Sequence, residues 1–144
     1  MIATKEELAV YAGQRKHNSQ LSHFEKLALF TRLKEVPFWG MSSHALDRLV
    51  EKGIKATRED VISTLNHANI VEYRIFQYEQ SVDLYDERVI LRSKAKVNGR
   101  YNLNVVYSLT NHRIISVWTN HVLDKHSTLD WSIYNKDMKV FGVN

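Results

Sequence analysis

The sequence contains no cysteine, a single proline and only five glycines among its 144 residues. Without cysteine the chain forms neither disulfide bonds nor a thiolate metal site, which excludes disulfide-stapled secreted scaffolds and thiol-dependent enzymes. No segment approaches the roughly 20 apolar residues that cross a membrane. Residues 1–13 lack the basic and apolar regions of a signal peptide. We therefore expect a cytoplasmic protein with no membrane contact.

The motifs of several large enzyme classes are also missing. The sequence has no Gly-rich phosphate-binding loop and no G-x-S-x-G elbow, which removes the common NTPase and α/β-hydrolase interpretations. Lys and Arg outnumber Asp and Glu by 20 to 16, a net charge of +4. This balance permits contact with RNA or DNA without demonstrating it. No cofactor is expected.

The composition is that of one globular domain, with 44% hydrophobic and 25% charged residues. No repeat, linker or low-complexity tract marks a boundary, so we predict a single domain over residues 1–144. Capping-box pairs three residues apart, Thr4 with Glu7 and Thr57 with Asp60, predict the starts of a first and a fourth helix.

Two further helices lie between these. One is predicted over 20–34, before Pro37, and the other begins at Ser42 or Ser43 and ends at Gly53, forming an αα-hairpin with the fourth helix. The residues expected to face the core have helical spacing. They are Leu21, Phe24, Leu27, Ala28 and Leu33 in the second helix, Leu46, Leu49 and Val50 in the third, and Val61, Ile62 and Leu65 in the fourth.

From about residue 70 the hydrophobic period changes to two, which predicts an antiparallel meander with strands over 70–78, 82–93, 101–109 and 113–119. Turn signals at Asn98-Gly99 and Asn111-His112 separate the later strands. In the third strand apolar and polar residues alternate, so helices should cover one sheet face and leave the other open. The tail, 120–144, is apolar enough to pack back, with a further strand expected around 131–134.

His44 and Arg48 are four residues apart in the third predicted helix and therefore share a face. An imidazole transfers protons near neutral pH and a guanidinium grips phosphate with two hydrogen bonds, so the pair suits phosphodiester chemistry. The alternative is an ordinary solvated helix face, because Asp47 and Glu51 lie there too.

Arg88 and Arg92 share a parity in the second predicted strand and would form a cationic strip on an open sheet face. The alternative is an edge strand protected by charge. Ser116, Trp118 and Asn120 share a parity in the fourth strand, where a hydroxyl, a stacking surface and an amide could hold a nucleotide. For Trp118 alone, a place in the core is the alternative.

His121, Asp124 and His126 gather two imidazoles and a carboxylate within six residues. Such groups bind zinc or iron, but the spacing matches no established metal pattern, so we predict no metal site. A second acid–base histidine near His44 and a plain loop or packing role are the remaining interpretations of this segment.

Taken together, residues 43–54, 59–61 and 70–73 resemble the opening of a family of small bacterial and phage domains related to RelE-like and BrnT-like toxins. Residues 89–92, 104–107 and 114–118 are similar to the sheet of that family. Lys52 stands where the family often has Arg, and Ser116 replaces its Thr. The resemblance covers about 42–119, so 1–41 would be an N-terminal helical extension and 120–144 a C-terminal extension.

The resemblance implies an α+β fold in which N-terminal helices and an αα-hairpin pack on one face of a four-stranded antiparallel sheet, as in the barnase, colicin-D and RelE group of metal-independent ribonucleases. In that chemistry a base takes the 2′-OH proton, a cation stabilises the phosphorane and an acid protonates the leaving 5′-oxygen. His44 would be the base or acid, and Arg48 and Arg92 would clamp phosphate.

We therefore predict a metal-independent endoribonuclease, a toxin or phage effector acting on RNA. The alternative is a catalytically inactive phage or mobile-element protein that binds and inhibits a host protein. Besides RNA, the expected partner is an antitoxin or that host target, and the oligomeric state is left open. The catalytic set is His44, Arg48, Arg92 and Ser116, and the substrate-binding set is Arg88, Asn104, Trp118, Asn120 and His121.

Overall fold

The structure, a computed structural model, describes residues 3–35, 40–50, 56–78, 84–94, 96–97, 99–121 and 131–143, without the side chain of Val50. In this part of the chain no helix has both the length and the apolar character needed to cross a membrane. The helices are α1 (Lys5–Ala9), α2 (His23–Leu33), α3 (Ser43–Val50) and α4 (Arg58–His67), and the strands are β1 (Arg15–His17), β2 (Gly40–Met41), β3 (Ala68–Gln77), β4 (Tyr85–Ser93), β5 (Tyr101–Ser108) and β6 (Arg113–His121).

The predicted α+β fold with a four-stranded antiparallel sheet is wrong in its sheet. The described strands form one six-stranded mixed sheet in the order β1-β3-β4-β5-β6-β2, in which β2 runs parallel to β6 and every other pair is antiparallel. The four predicted strands are present as the meander β3 to β6. Strands β1 and β2 contain three and two residues, too few to produce an alternating pattern.

The helix starts predicted at Thr4 and Thr57 are confirmed, but the core stripes predicted for α2, α3 and α4 are each wrong in part. The capping boxes at Thr4 and Thr57 are formed. Phe24 and Leu27 of α2 are 72% and 55% exposed, whereas Leu29 is fully buried. Because apolar residues occur on both sides of α2, helical periodicity alone could not select the buried side. Leu46 and Ile62 were also predicted to face the core but are exposed. The predicted helix end at Gly53 and the predicted joint at Pro37 lie outside the described residues.

One hydrophobic core lies between the helices and one face of the sheet. Alternate residues of the four long strands enter it, including Tyr73, Val89, Val105 and Val117. The tail packs back as predicted and contributes Met138, Val140 and Phe141. Residues 131–134 do not form the expected strand: Trp131–Ile133 is a 3-10 turn, and Tyr134 makes a single bridge to Arg15.

A buried carboxylate on the core side joins three distant parts of the chain. Glu87 of β4 accepts two hydrogen bonds from Arg32 of α2, at 2.7 and 3.0 Å, and one from the hydroxyl of Tyr73 at 2.6 Å. Arg32 also donates to the carbonyl of Phe141 at 3.1 Å. Burial, followed by the charge of Glu87, raises the pKa of Tyr73 well above its ordinary value.

Replacing Glu87 with Gln should lower the free energy of unfolding by about 3 kcal/mol, because it leaves the largely buried guanidinium of Arg32 without its counter-charge. Urea unfolding followed by circular dichroism measures the change. Glu6→Gln, at an exposed residue of α1, is the matched control and should change stability by less than about 0.5 kcal/mol. An equal, small effect of both substitutions would contradict the structural role of Glu87.

Tyr73→Phe should flatten the alkaline loss of stability. The pKa of Tyr73 is raised in the folded protein, so above about pH 10 the unfolded chain loses a proton that the folded one keeps. Stability therefore falls as the pH rises above that of a free tyrosine, by up to about 1.4 kcal/mol per pH unit. Urea unfolding between about pH 10 and 11 should show a shallower slope for the variant. Parallel slopes would rule out this contribution.

Candidate nucleic-acid interface

Strand register assigns six of the predicted site residues to the sheet face opposite the helices. Arg88 pairs with Ser108 and Arg92 with Asn104, while Asn104 pairs in turn with Trp118. Directly paired residues project to the same side of a sheet, and the alternate residues of these strands enter the core. We call this side the polar face. Its predicted site residues are Arg88, Arg92, Asn104, Ser116, Trp118 and Asn120.

A row of hydrogen bonds crosses three strands of the polar face. Arg92 Nε donates to Asn104 Oδ1 at 3.0 Å, and Asn104 Nδ2 donates to Asn120 Oδ1 at 2.6 Å. Asn104 is fully buried, whereas Arg92, Asn120 and Trp118 are half-buried. We call Arg92, Asn104, Trp118 and Asn120 the Arg92 row.

The charge of Arg92 is not neutralised within the described part of the chain. Its hydrogen-bond partner is a neutral amide, and no described carboxylate forms an ion pair with it. An arginine fixed by an amide keeps its net charge and its remaining N–H donors for an anion. The half-buried ring of Trp118 lies in the same row, so the row combines a phosphate-binding group with a surface on which a base could stack.

Arg88 lies on the same face but differs in its charge balance. Its Nε donates to Asp86 at 2.6 Å, its Nη2 donates to the hydroxyl of Tyr78 at 3.2 Å, and its guanidinium lies 3.9 Å from the ring centre of Phe76. Asp86 is fully buried and also accepts from Ser108. A neutralised, 5% exposed arginine offers little to a substrate. The edge-strand alternative for this arginine is wrong, because β4 lies between β3 and β5.

Helix α3 lies along the outer edge of β6, beyond the point where β2 ends. The hydroxyl of Ser42 donates to the carbonyl of Ile115 at 2.8 Å, and Arg48 Nε donates to the carbonyl of Val117 at 3.3 Å. These bonds satisfy backbone acceptors of β6 that would otherwise lack a partner. One donor of the predicted phosphate clamp Arg48 therefore holds the helix on the sheet.

His44 is exposed and lies one turn before Arg48 on the same side of α3. The anchors of α3 flank Ser116 in β6, since they bind the carbonyls immediately before and after it. Two of the predicted catalytic residues, His44 and Ser116, are thus carried by adjacent elements. Among the described residues no hydrogen bond or ion pair links His44 to the Arg92 row.

His121 does not share the polar face. It pairs with Tyr101, which packs against the core, and their ring centres are 5.6 Å apart. Because Asn120 lies on the polar face, the next residue along the strand points to the other side. Asp124 and His126 lie outside the described residues, among which no three potential metal ligands come together.

The charged cluster that Arg15, Glu72 and Arg74 form on the polar face was not predicted from the sequence. Arg15 of β1 pairs with Arg74 of β3, which pairs with Arg88, and Glu72 lies beside them, 3.5 Å from Arg15. The signal was weak because β1 is very short and because a bulge in β3, between Ile70 and Glu72, shifts the parity of the residues that follow.

No protein-family model matches the sequence, and comparisons with curated proteins and with solved structures find no match. The resemblance to RelE-like and BrnT-like domains therefore stays a prediction.

Asp86→Asn should lower the free energy of unfolding by about 3 kcal/mol, because Arg88 would remain buried without its counter-charge. The same substitution should cost much less in an Arg88→Met background, since the unpaired charge is then absent. A double-mutant cycle measured by urea unfolding gives the coupling between the two residues. A coupling near zero would contradict the ion pair.

Proposed function

We propose that the protein binds single-stranded RNA across the Arg92 row and cleaves it without a metal ion. The observation that supports this most is an arginine held by amides, without a described counter-charge, in the same row as a half-buried tryptophan. A guanidinium recognises the backbone phosphate, and an aromatic ring stacks on an unpaired base. The net charge of +4 favours a polyanion. Such a substrate implies a cytoplasmic site of action.

His44 is the proposed acid–base group. In metal-independent cleavage a base removes the proton of the 2′-hydroxyl, whose oxygen attacks phosphorus while the bond to the 5′-oxygen breaks. The products are a 2′,3′-cyclic phosphate and a 5′-hydroxyl, which receives a proton from an acid. Arg92 would stabilise the charge that develops on the phosphorane. The bound strand would cross β6 at Ser116, because this residue lies between α3 and the Arg92 row.

Arg92→Gln should weaken binding of a fluorescent oligouridylate about tenfold and lower the magnitude of the salt dependence by about one unit, because one phosphate contact is lost. Fluorescence anisotropy at several salt concentrations measures both quantities. Arg100→Gln removes the same charge from an exposed turn and is the matched control. His44→Ala should abolish cleavage of total RNA in EDTA while leaving binding unchanged.

Equal binding by the Arg92 and Arg100 variants would contradict the proposed interface. If the wild-type protein binds oligouridylate through Arg92 but leaves RNA intact in EDTA and in Mg²⁺, the interface stands and the cleavage step is wrong.

A second candidate function, protein binding without catalysis, is favoured by a groove on the other side of the molecule. The groove has a volume of about 530 Å³. The exposed side chains of Phe24 and Leu27 line it, together with residues from both chain ends such as Ala3 and Val143. If this function is correct, RNA should stay intact and unbound, and Phe24→Ser with Leu27→Ser should remove binding to the protein partner.

A further inference from the structure

Three arginines lie side by side on the polar face, away from the Arg92 row. Arg15 of β1 pairs directly with Arg74 of β3, and Arg74 pairs directly with Arg88 of β4. Like charges directly opposite one another across strands destabilise a sheet. Two carboxylates are near. Glu72 lies 3.5 Å from Arg15, with its Oε2 buried and without a hydrogen-bond partner among the described residues, and Asp86 forms an ion pair with Arg88 at 2.6 Å.

The middle arginine has no such partner. Arg74 makes no side-chain hydrogen bond or ion pair with the described residues, and its Nε is buried without a hydrogen-bond partner. Its described contact is with the ring of Phe76, whose centre is 5.6 Å from the guanidinium carbon. Buried donors are almost always satisfied in folded proteins, so an orphan donor on a half-buried cation calls for a missing acceptor.

The electrostatic surroundings of Arg74 also indicate that a negative charge is missing beside it. Burial, followed by the charge of Arg15, lowers the pKa of Arg74, and the opposing effect of Glu72 does not restore it. The folded protein therefore holds this guanidinium in surroundings that disfavour its charge. An anion bound beside it would reverse that balance, whereas a neutral ligand would not.

We propose that Arg74, flanked by Arg15 and Arg88, binds a phosphate group. Guanidinium groups bind the oxygens of phosphate through paired, charge-assisted hydrogen bonds. Arg88 and Arg92 are four residues apart on β4, a separation of about 13 Å along the strand. A single RNA strand following β4 could thus place one phosphate at Arg74 and another at Arg92, in which case the site rests on the proposed function. A free phosphate ion is the other source of the same chemistry.

Thermal unfolding in inorganic phosphate, compared with chloride at equal ionic strength, tests the site without RNA. Phosphate should raise the Tm of the wild-type protein by about 2 to 4 °C. Arg74→Gln should abolish this rise, and Arg100→Gln should retain it. In phosphate-free buffer Arg74→Gln should unfold at the same temperature as the wild type or higher, because it removes repulsion; a purely structural arginine would give a lower Tm.

The proposal is overturned if phosphate does not raise the wild-type Tm more than chloride does, or if the Arg74 variant responds as strongly as the wild type. Oligouridylate binding then identifies the source of the phosphate. A weaker affinity of Arg74→Gln assigns the site to the RNA backbone. An unchanged affinity, with the phosphate-dependent shift still present, assigns it to free phosphate and leaves the site in place even if RNA binding at Arg92 fails.

Discussion

The imbalance between guanidinium and carboxylate groups on the polar face determines what this face can bind. Each of the two carboxylates there is engaged by one arginine, so two of the four arginines that β1, β3 and β4 contribute to this face keep an unneutralised charge. A partly buried cation without a counter-charge costs stability unless a ligand supplies one. Unneutralised arginines therefore lower the stability of the free protein, and an anionic ligand would offset that loss by supplying the counter-charge. The four arginines are Arg15, Arg74, Arg88 and Arg92, and the carboxylates are Glu72 and Asp86.

On the opposite, core-facing side of the sheet, the buried charged side chains Glu87 and Lys16 each have a partner of opposite charge. Glu87 is bound by Arg32 and Tyr73, and the buried ammonium of Lys16 donates to Glu25 at 2.8 Å and to the carbonyl of Met138 at 3.0 Å. These contacts tie β1, α2 and the tail to the sheet. The described parts of the two segments outside the family resemblance therefore contribute to the core, and Tyr134 of the C-terminal segment also reaches the polar face, where its hydroxyl donates to Glu72 at 2.9 Å.

The sequence predicted the interior of the sheet better than its margins. In β5 the alternation of Leu103 and Val105 with Asn104 correctly separated the two faces, because a long strand with one buried face repeats that pattern. The same alternation does not assign Arg74 to the correct face. The bulge in β3 places Ile70 and Glu72 on opposite faces although they are two residues apart, and Arg74 follows the bulge. Strands as short as β1 and β2 leave no pattern, and the contact between α3 and the edge of β6 depends on tertiary packing. Register is a property of strand pairs, so no single strand reveals which arginines end up neutralised.

The most direct measurement of RNA binding is a ¹H–¹⁵N NMR titration of the wild-type protein with an oligouridylate in which 2′-fluoro groups replace the 2′-hydroxyls, so that the strand keeps an RNA-like sugar but resists cleavage. The proposed interface predicts that the indole N–H of Trp118, the side-chain amide of Asn120 and the Nε–H of Arg92 shift together. Shifts confined to the groove around Phe24 and Leu27, or no shifts at all, would contradict it.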